Sequence, residues 1–245
     1  MEDLFCVARR RSSWDEATGS TRQLTPLERT GVIVPVEVSP DGKRVAYANA
    51  GKLWTISLAG GLPYAIADSP GLRCAWSPNG AWIAFQTQQG LYKVPSQGGA
   101  GPVQMFAGGA TGFTHGVGWA GGNIYFAKDG GLFRMAEGGG AVTEVGKFPG
   151  ANLMAMSGDG ATLQLLEDGS ADNRMLMVDA RTGAVVKRIT IDTDGVVRSV
   201  SIHPDGKRMA VWVHSTNLDL WMLEGFPRPA VGWARWLDRK WLETK

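Results

Sequence analysis

The sequence predicts an all-β fold, a β-propeller of four-stranded blades. Three observations predict it. A bend-and-strand phrase recurs at intervals of about 40 residues. Each recurrence sits inside the same order of four strand-like runs. Gly supplies 34 of the 245 residues, about twice the usual ~7%, as a turn-dense fold requires.

The phrase Ser39-Pro40-Asp41-Gly42-Lys43-Arg44-Val45-Ala46-Tyr47 returns as Ser77-Pro78-Asn79-Gly80-Ala81-Trp82-Ile83-Ala84-Phe85 and as His203-Pro204-Asp205-Gly206-Lys207-Arg208-Met209-Ala210-Val211. Two weaker copies lie between, at Trp119 to Phe126 and Ser157 to Leu163. The turn glycines Gly42, Gly80, Gly122, Gly160 and Gly206 are 38, 42, 38 and 46 residues apart. Pro suits the second position of such a bend because its ring fixes φ. Asp or Asn bonds its own backbone, and Gly accepts φ > 0. Asp41, Asp159 and Asp205 therefore read as turn residues rather than catalytic carboxylates, and His203 as a turn cap in the Ser position.

Each element of a blade can be justified in order. In the second copy, Leu72 to Trp76 is a first strand and Ala81 to Phe85 a second. Gly90 to Val94 is a third, and Pro102 to Phe106 a fourth after a Gly-rich turn. These runs are β-branched, aromatic or small, as crowded strands prefer. Five blades are recognisable, with a partial sixth or a shared closing blade. Trp54, Trp76, Trp82, Trp119, Trp212 and Trp221 fall at strand positions and read as inter-blade packing, against ligand stacking.

The ends fit less well. Leu4 to Ala8 resembles a third strand and Arg22 to Leu27 a fourth, with no first or second before them. Val197 to Ile202, Met209 to Val213 and Leu218 to Leu223 give three strands with no obvious fourth. An open sheet edge invites pairing, so Arg22 to Leu27 is expected beside Leu220 to Leu223. Leu4 to Ala8 is then surplus, or part of a sixth blade. The organisation reads as closing strands over 1–27, propeller repeats over 28–226 and an amphipathic tail over 227–245. In the tail, Trp233, Trp236, Leu237 and Trp241 share one face of a short helix. That face either caps the propeller or contacts a partner or membrane surface.

The bulk numbers narrow the function classes. A net charge of +2 argues against a nucleic-acid surface, which carries a strong basic bias. Arg9-Arg10-Arg11 beside Ser12-Ser13 reads as a solvated loop, against a phosphate or acidic-partner contact. Cys6 and Cys74 lie in apolar strand patterns and read as buried free thiols, with no metal spacing. No secretory h-region follows Met1 and no apolar run reaches ~18 residues. On its own the chain reads as cytoplasmic and monomeric, and as extracytoplasmic if it belongs to a membrane-tethered regulator. No phosphate-binding P-loop, nucleophile elbow or kinase signature is present.

With the Ser-Pro-Asp-Gly-Lys-Arg phrase quoted, the repeats resemble the WD40-like, or TolB-like, β-propeller family. Within it they are similar to propellers fused behind bacterial serine/threonine kinase domains or winged-helix regulators. Gly51-Lys52-Leu53-Trp54-Thr55-Ile56-Ser57-Leu58-Ala59-Gly60-Gly61 and Leu91-Tyr92-Lys93-Val94-Pro95-Ser96-Gln97-Gly98-Gly99 carry that likeness. The resemblance implies a signalling scaffold or sensor that binds a protein or peptide, with no cofactor.

Function in such propellers lies at the mouth of the central channel. Aligning blades on the turn places Arg73, His115, Asn152 and Arg198 at the start of successive first strands. Two cations, an imidazole and an amide suit an anionic peptide or small ligand. The competing readings are ordinary solvated loop residues, or a lactonase-like hydrolase with a channel metal. The latter needs oxygen ligands at the centre, and of these four residues Asn152 alone fits.

Overall fold

A computed structural model of the chain describes residues 3–7, 10–15, 20–23, 36–68, 73–108, 116–167, 173–193, 195–202, 209–214 and 220–223. Side chains are described from 36 to 200 within these ranges and at 211 and 213. All elements among the described residues are antiparallel strands. Blade I is β4 (Val36–Val38), β5 (Arg44–Asn49), β6 (Lys52–Ser57) and β7 (Tyr64–Asp68). Blade II is β8 (Cys74–Trp76), β9 (Trp82–Thr87), β10 (Gly90–Pro95) and β11 (Val103–Ala107). Blade III is β12 (Val117–Ala120), β13 (Asn123–Lys128), β14 (Gly131–Ala136) and β15 (Val142–Lys147). Blade IV is β16 (Ala151–Met156), β17 (Thr162–Glu167), β18 (Arg174–Asp179) and β19 (Val185–Thr190).

Two three-stranded sheets flank these blades. The N-terminal sheet is β1 (Asp3–Val7), β2 (Arg10–Asp15) and β3 (Ser20–Gln23). The C-terminal sheet is β20 (Val196–Ile202), β21 (Met209–His214) and β22 (Leu220–Leu223). The chain meanders in sequence order within every sheet. The first strands β4, β8, β12, β16 and β20 lie beside one another in turn, which is the propeller arrangement.

The β-propeller expectation holds, with corrections. Among the described residues four sheets have four strands, where five blades and a partial sixth or shared closing blade were expected. The fifth repeat supplies β20, β21 and β22, and no fourth strand joins them among the described residues. Arg10 and Arg11 are not loop residues; they pair in β2 with Val7 and Cys6. The run Arg10 to Asp15 holds no Gly or Pro, so its charge does not prevent a strand. Arg22 pairs with Ser13, in a sheet of its own rather than beside β22. Residues 24–27, His203 to Arg208, and the tail with Trp233, Trp236 and Trp241 lie outside the described residues.

The bend is held by a small network. Ser39 Oγ accepts from the Arg44 N–H at 2.9 Å and donates to Asp41 Oδ1. Asp41 Oδ1 also accepts from the Lys43 N–H at 3.0 Å. Ser77 and Asn79 repeat the set with Ala81 and Trp82, as do Ser157 and Asp159 with Ala161 and Thr162. Gly42 and Gly80 sit at φ +68° and +69°, as the turn requires. The fourth copy, weak as sequence because Gly158 replaces Pro, is intact as structure: Ser and Asp make the bonds, and Pro makes none. The third copy differs in kind. Ala120 pairs directly with Asn123 across Gly121 and Gly122, at φ +55° and +72°. That is the two-residue hairpin that demands φ > 0 twice.

The core lies between blades. Leu53, Ile83 and Phe85 bury one face between blades I and II. Ala84, Leu91, Ile124 and Phe126 fill the gap between II and III. Leu153, Leu163 and Leu165 pack against blade III, while Leu166 and Met175 meet Val197, Val200 and Val211 of the C-terminal sheet. Alternate residues of each strand thus serve opposite neighbours. A fully buried Phe or Leu contributes roughly 1.5–3 kcal/mol. The tryptophans join the packing: Trp76 and Trp119 are buried, and the Trp76 ring carries the Arg44 guanidinium at 4.9 Å.

Candidate functional site

Arg73 precedes β8 and is half-buried. Its Nη2 donates to Met154 Sδ at 3.1 Å and to the Arg198 carbonyl at 3.4 Å. Met154 lies on β16 and Arg198 on β20, so this side chain reaches past blade III to the two sheets beyond it. Both partners are bulge residues. The β16–β17 register shifts between Leu153 and Ala155, leaving Met154 out of the ladder. The β20–β21 register shifts between Val197 and Ser199, leaving Arg198 out in the same way. A bulge leaves its extra residue unpaired and turns it off the strand. Here it presents a sulfur and a carbonyl to the incoming guanidinium.

Glu37 on β4 stands beside this group. The Trp76 indole N–H donates to its carbonyl at 3.0 Å and ties β4 to β8. Burial pushes the Glu37 carboxyl up to about 7, partly offset by the charge of Arg73. Burial lowers the Arg73 guanidinium, and Glu37 and then Cys74 oppose that shift. Cys74 is a buried free thiol raised well above its ordinary value, by burial first and by Glu37 second. Desolvation therefore dominates at all three groups.

Of the four residues expected at the channel mouth, the structure brings Arg73 and Arg198 together. Arg198 keeps its side chain exposed. Asn152 is half-buried on β16, two residues from Met154, and His115 lies outside the described residues. The sequence reading missed Glu37 and Met154. Glu37 was detectable. It pairs with Ala46 as Ala75 pairs with Ala84 and Gly118 with Tyr125, so it puts a charge where the other blades keep a small residue. Met154 gave no signal, because a bulge has no periodicity to break in a run such as Leu153-Met154-Ala155-Met156. Asp41 and Asp159 are confirmed as turn residues, each carboxyl lowered first by its Ser hydroxyl.

Among the described residues no three His, Cys, Asp or Glu side chains form a metal-holding group. No helix among them is long and apolar enough to cross a membrane.

No protein-family profile matches the chain, and no curated protein does. Solved structures match. A putative TolB from Agrobacterium tumefaciens shares 19% identity over 86% of this chain and 88% of that one, with a TM-score of 0.65. TolB from Acinetobacter baumannii shares 18% over 89% of this chain, with a TM-score of 0.68. The fold is a TolB-like β-propeller. This chain spans 58% of the Acinetobacter baumannii protein. The likeness extends to an enzyme: Kuenenia stuttgartiensis hydrazine synthase matches at 18% identity over 76% of this chain and 58% of that one, TM-score 0.54. At these identities the fold is what is shared.

Proposed function

We propose that this propeller is a non-catalytic interaction module that receives an acidic protein or peptide segment at the mouth of its channel. The observation that carries the reading is the bond from Arg73 to the Arg198 carbonyl at a bulge of an inner strand, with Arg198 itself exposed. Asn152 and His115 extend the surface in this reading. The likeness of the repeats to propellers of bacterial multidomain regulators supports a scaffold or sensor role within such a protein.

The test is fluorescence anisotropy with a labelled Asp/Glu-rich peptide and a scrambled-charge control, for the native protein and for Arg198→Glu. The native protein is expected to prefer the acidic peptide. The variant should lose at least about tenfold in affinity at an unchanged melting temperature. Equal affinity in the two proteins removes the channel mouth as the docking surface. Stoichiometric divalent metal in the purified protein replaces this reading with the hydrolase one.

A further inference from the structure

Asn79 and Gly80 form the one Asn-Gly pair in the chain; the other five asparagines precede Ala, Ile, Leu or Arg. The pair sits in the bend of blade II, where blades I and IV carry Asp41-Gly42 and Asp159-Gly160. Asn79 is exposed. Its Oδ1 accepts from the Ser77 hydroxyl at 2.7 Å and from the Ala81 N–H at 3.0 Å. The Gly80 carbonyl beside it is a joint between blades. It accepts from Ser96 Oγ at 2.7 Å and from Arg44 Nη2 of blade I at 3.4 Å. We propose that Asn79-Gly80 is a site of spontaneous deamidation, whose aspartyl product keeps the joint of blades I and II and whose isoaspartyl product unties it.

The reaction needs only water and hydroxide. The Gly80 nitrogen gives its proton to hydroxide and attacks Asn79 Cγ. The N–Cγ bond forms, the Cγ–Nδ2 bond breaks, and Nδ2 leaves as ammonia. Water then opens the cyclic imide. Opening at Cγ yields aspartate. Opening at the backbone carbon yields isoaspartate, with the chain routed through the side chain. Nothing is oxidised or reduced. Three features of the bend favour the attack. Gly80 has no Cβ to crowd its nitrogen. The two donors on Oδ1 point at the oxygen that gathers charge as Cγ is attacked, as oxyanion donors do. Exposure lets hydroxide in and ammonia out. One feature opposes it: the Gly80 N–H donates to the Ser77 carbonyl at 2.8 Å. The bend must open first, so the folded chain reacts more slowly than the unfolded one.

The two products differ in fit. An aspartate at position 79 repeats Asp41 and Asp159, whose Oδ1 atoms make the same two bonds. An isoaspartate lengthens the backbone between Ser77 and Gly80 by one carbon. The Gly80 carbonyl then leaves the point where Ser96 and Arg44 converge. The site is independent of the docking role, and its test uses no partner.

The full chain, folded and urea-unfolded, is aged at mildly alkaline pH and body temperature. Mass spectrometry of its peptides reads each asparagine, and an isoaspartyl methyltransferase with S-adenosylmethionine labels isoaspartate. Asn79 is expected to convert ahead of the other five asparagines in both samples, more slowly when folded. Freshly made Asn79→Asp should melt with the native protein at neutral pH. The aged protein should show a lower-melting fraction that matches its isoaspartyl content. An Asn79 that stays intact in the folded chain while the unfolded chain converts overturns the site, as does conversion no faster than at the other asparagines. An isoaspartyl fraction that melts with the native protein, or an Asn79→Asp protein that melts well below it, overturns the effect on the joint.

Discussion

Arg73 and Arg198 meet at 3.4 Å, side chain to backbone, although blades III and IV lie between their strands. Two cations come together because the contact is not between cations. A bulge at Val197/Ser199 frees the Arg198 carbonyl from its ladder, and the carbonyl is the acceptor. The Arg198 side chain points elsewhere and remains exposed. One irregularity on an inner strand thus gives the propeller a contact between distant blades and an outward-facing cation.

Glu37 makes stability depend on pH in a definite direction. Its ordinary value of 4.5 rises to about 7 in the folded chain, so between those values the folded state binds the proton more tightly. Its contribution is fully present below the ordinary value and is lost as pH rises toward 7. Glu37→Gln should melt close to the native protein at pH 4.5 and above it at pH 8. Melting curves across that range check this, and a constant offset would exclude the burial account.

The bend network predicts unequal mutants. Ser39→Ala removes the hydroxyl that accepts from Arg44 and donates to Asp41. Ser39 is buried, so the loss should be about 1 kcal/mol. Asp41→Asn should be nearly silent at neutral pH, because Asn79 does the same work in blade II. Asp41 is lowered by Ser39 first and the Lys43 N–H second. Its contribution is therefore present above its ordinary value and lost as pH falls through the folded one, and Asp41→Asn should remove that acid-side loss. Urea midpoints of both variants at pH 7 and pH 3 decide.

Gly42 and Gly183 share a backbone conformation and differ in surroundings. Gly42 is at φ +68° with nothing near a would-be Cβ, so Gly42→Ala should cost about 1 kcal/mol for the φ alone. Gly183, at φ +74°, would put a Cβ 2.0 Å from the Val145 carbonyl oxygen of blade III. Gly183→Ala must push blades III and IV apart and should cost at least twice as much. Equal melting temperatures would mean that the blades yield freely at that contact.

Period and turn chemistry made the blades legible, because Ser, Asx and Gly act locally and leave a fixed spacing. The same locality explains the errors. Blade III lost its signal when a six-residue bend shortened to the Gly121-Gly122 hairpin, yet Ile124 and Phe126 still filled the same gap. β2 was hidden because Arg10 and Arg11 read as solvated charge, yet β2 is the middle strand of its sheet, paired on both sides by β1 and β3. At the candidate site Arg73 and Arg198 were reachable by aligning turns. Their contact was not, since it depends on a bulge and on a side chain that travels between blades.

Arg44 is the clearest case of a residue that stabilises one blade through the next. Its Nη1 donates to the Ser96 carbonyl at 3.2 Å, and its Nη2 to Ser96 Oγ at 3.1 Å and the Gly80 carbonyl at 3.4 Å. Its planar face covers Trp76. Three acceptors from two turns of blade II therefore converge on a fork rooted in blade I. Lysine carries the charge but has one small head, no plane to stack and no fork to divide between turns. Arg44→Lys should lose most of what Arg44→Met loses, about 1–3 kcal/mol. The companion Ser96→Ala should lose less and be non-additive with either, since it removes one shared acceptor. A double-mutant cycle on urea midpoints measures the coupling, and a coupling of zero would mean that the fork is decoration on a blade interface already held by Ile83 and Phe85.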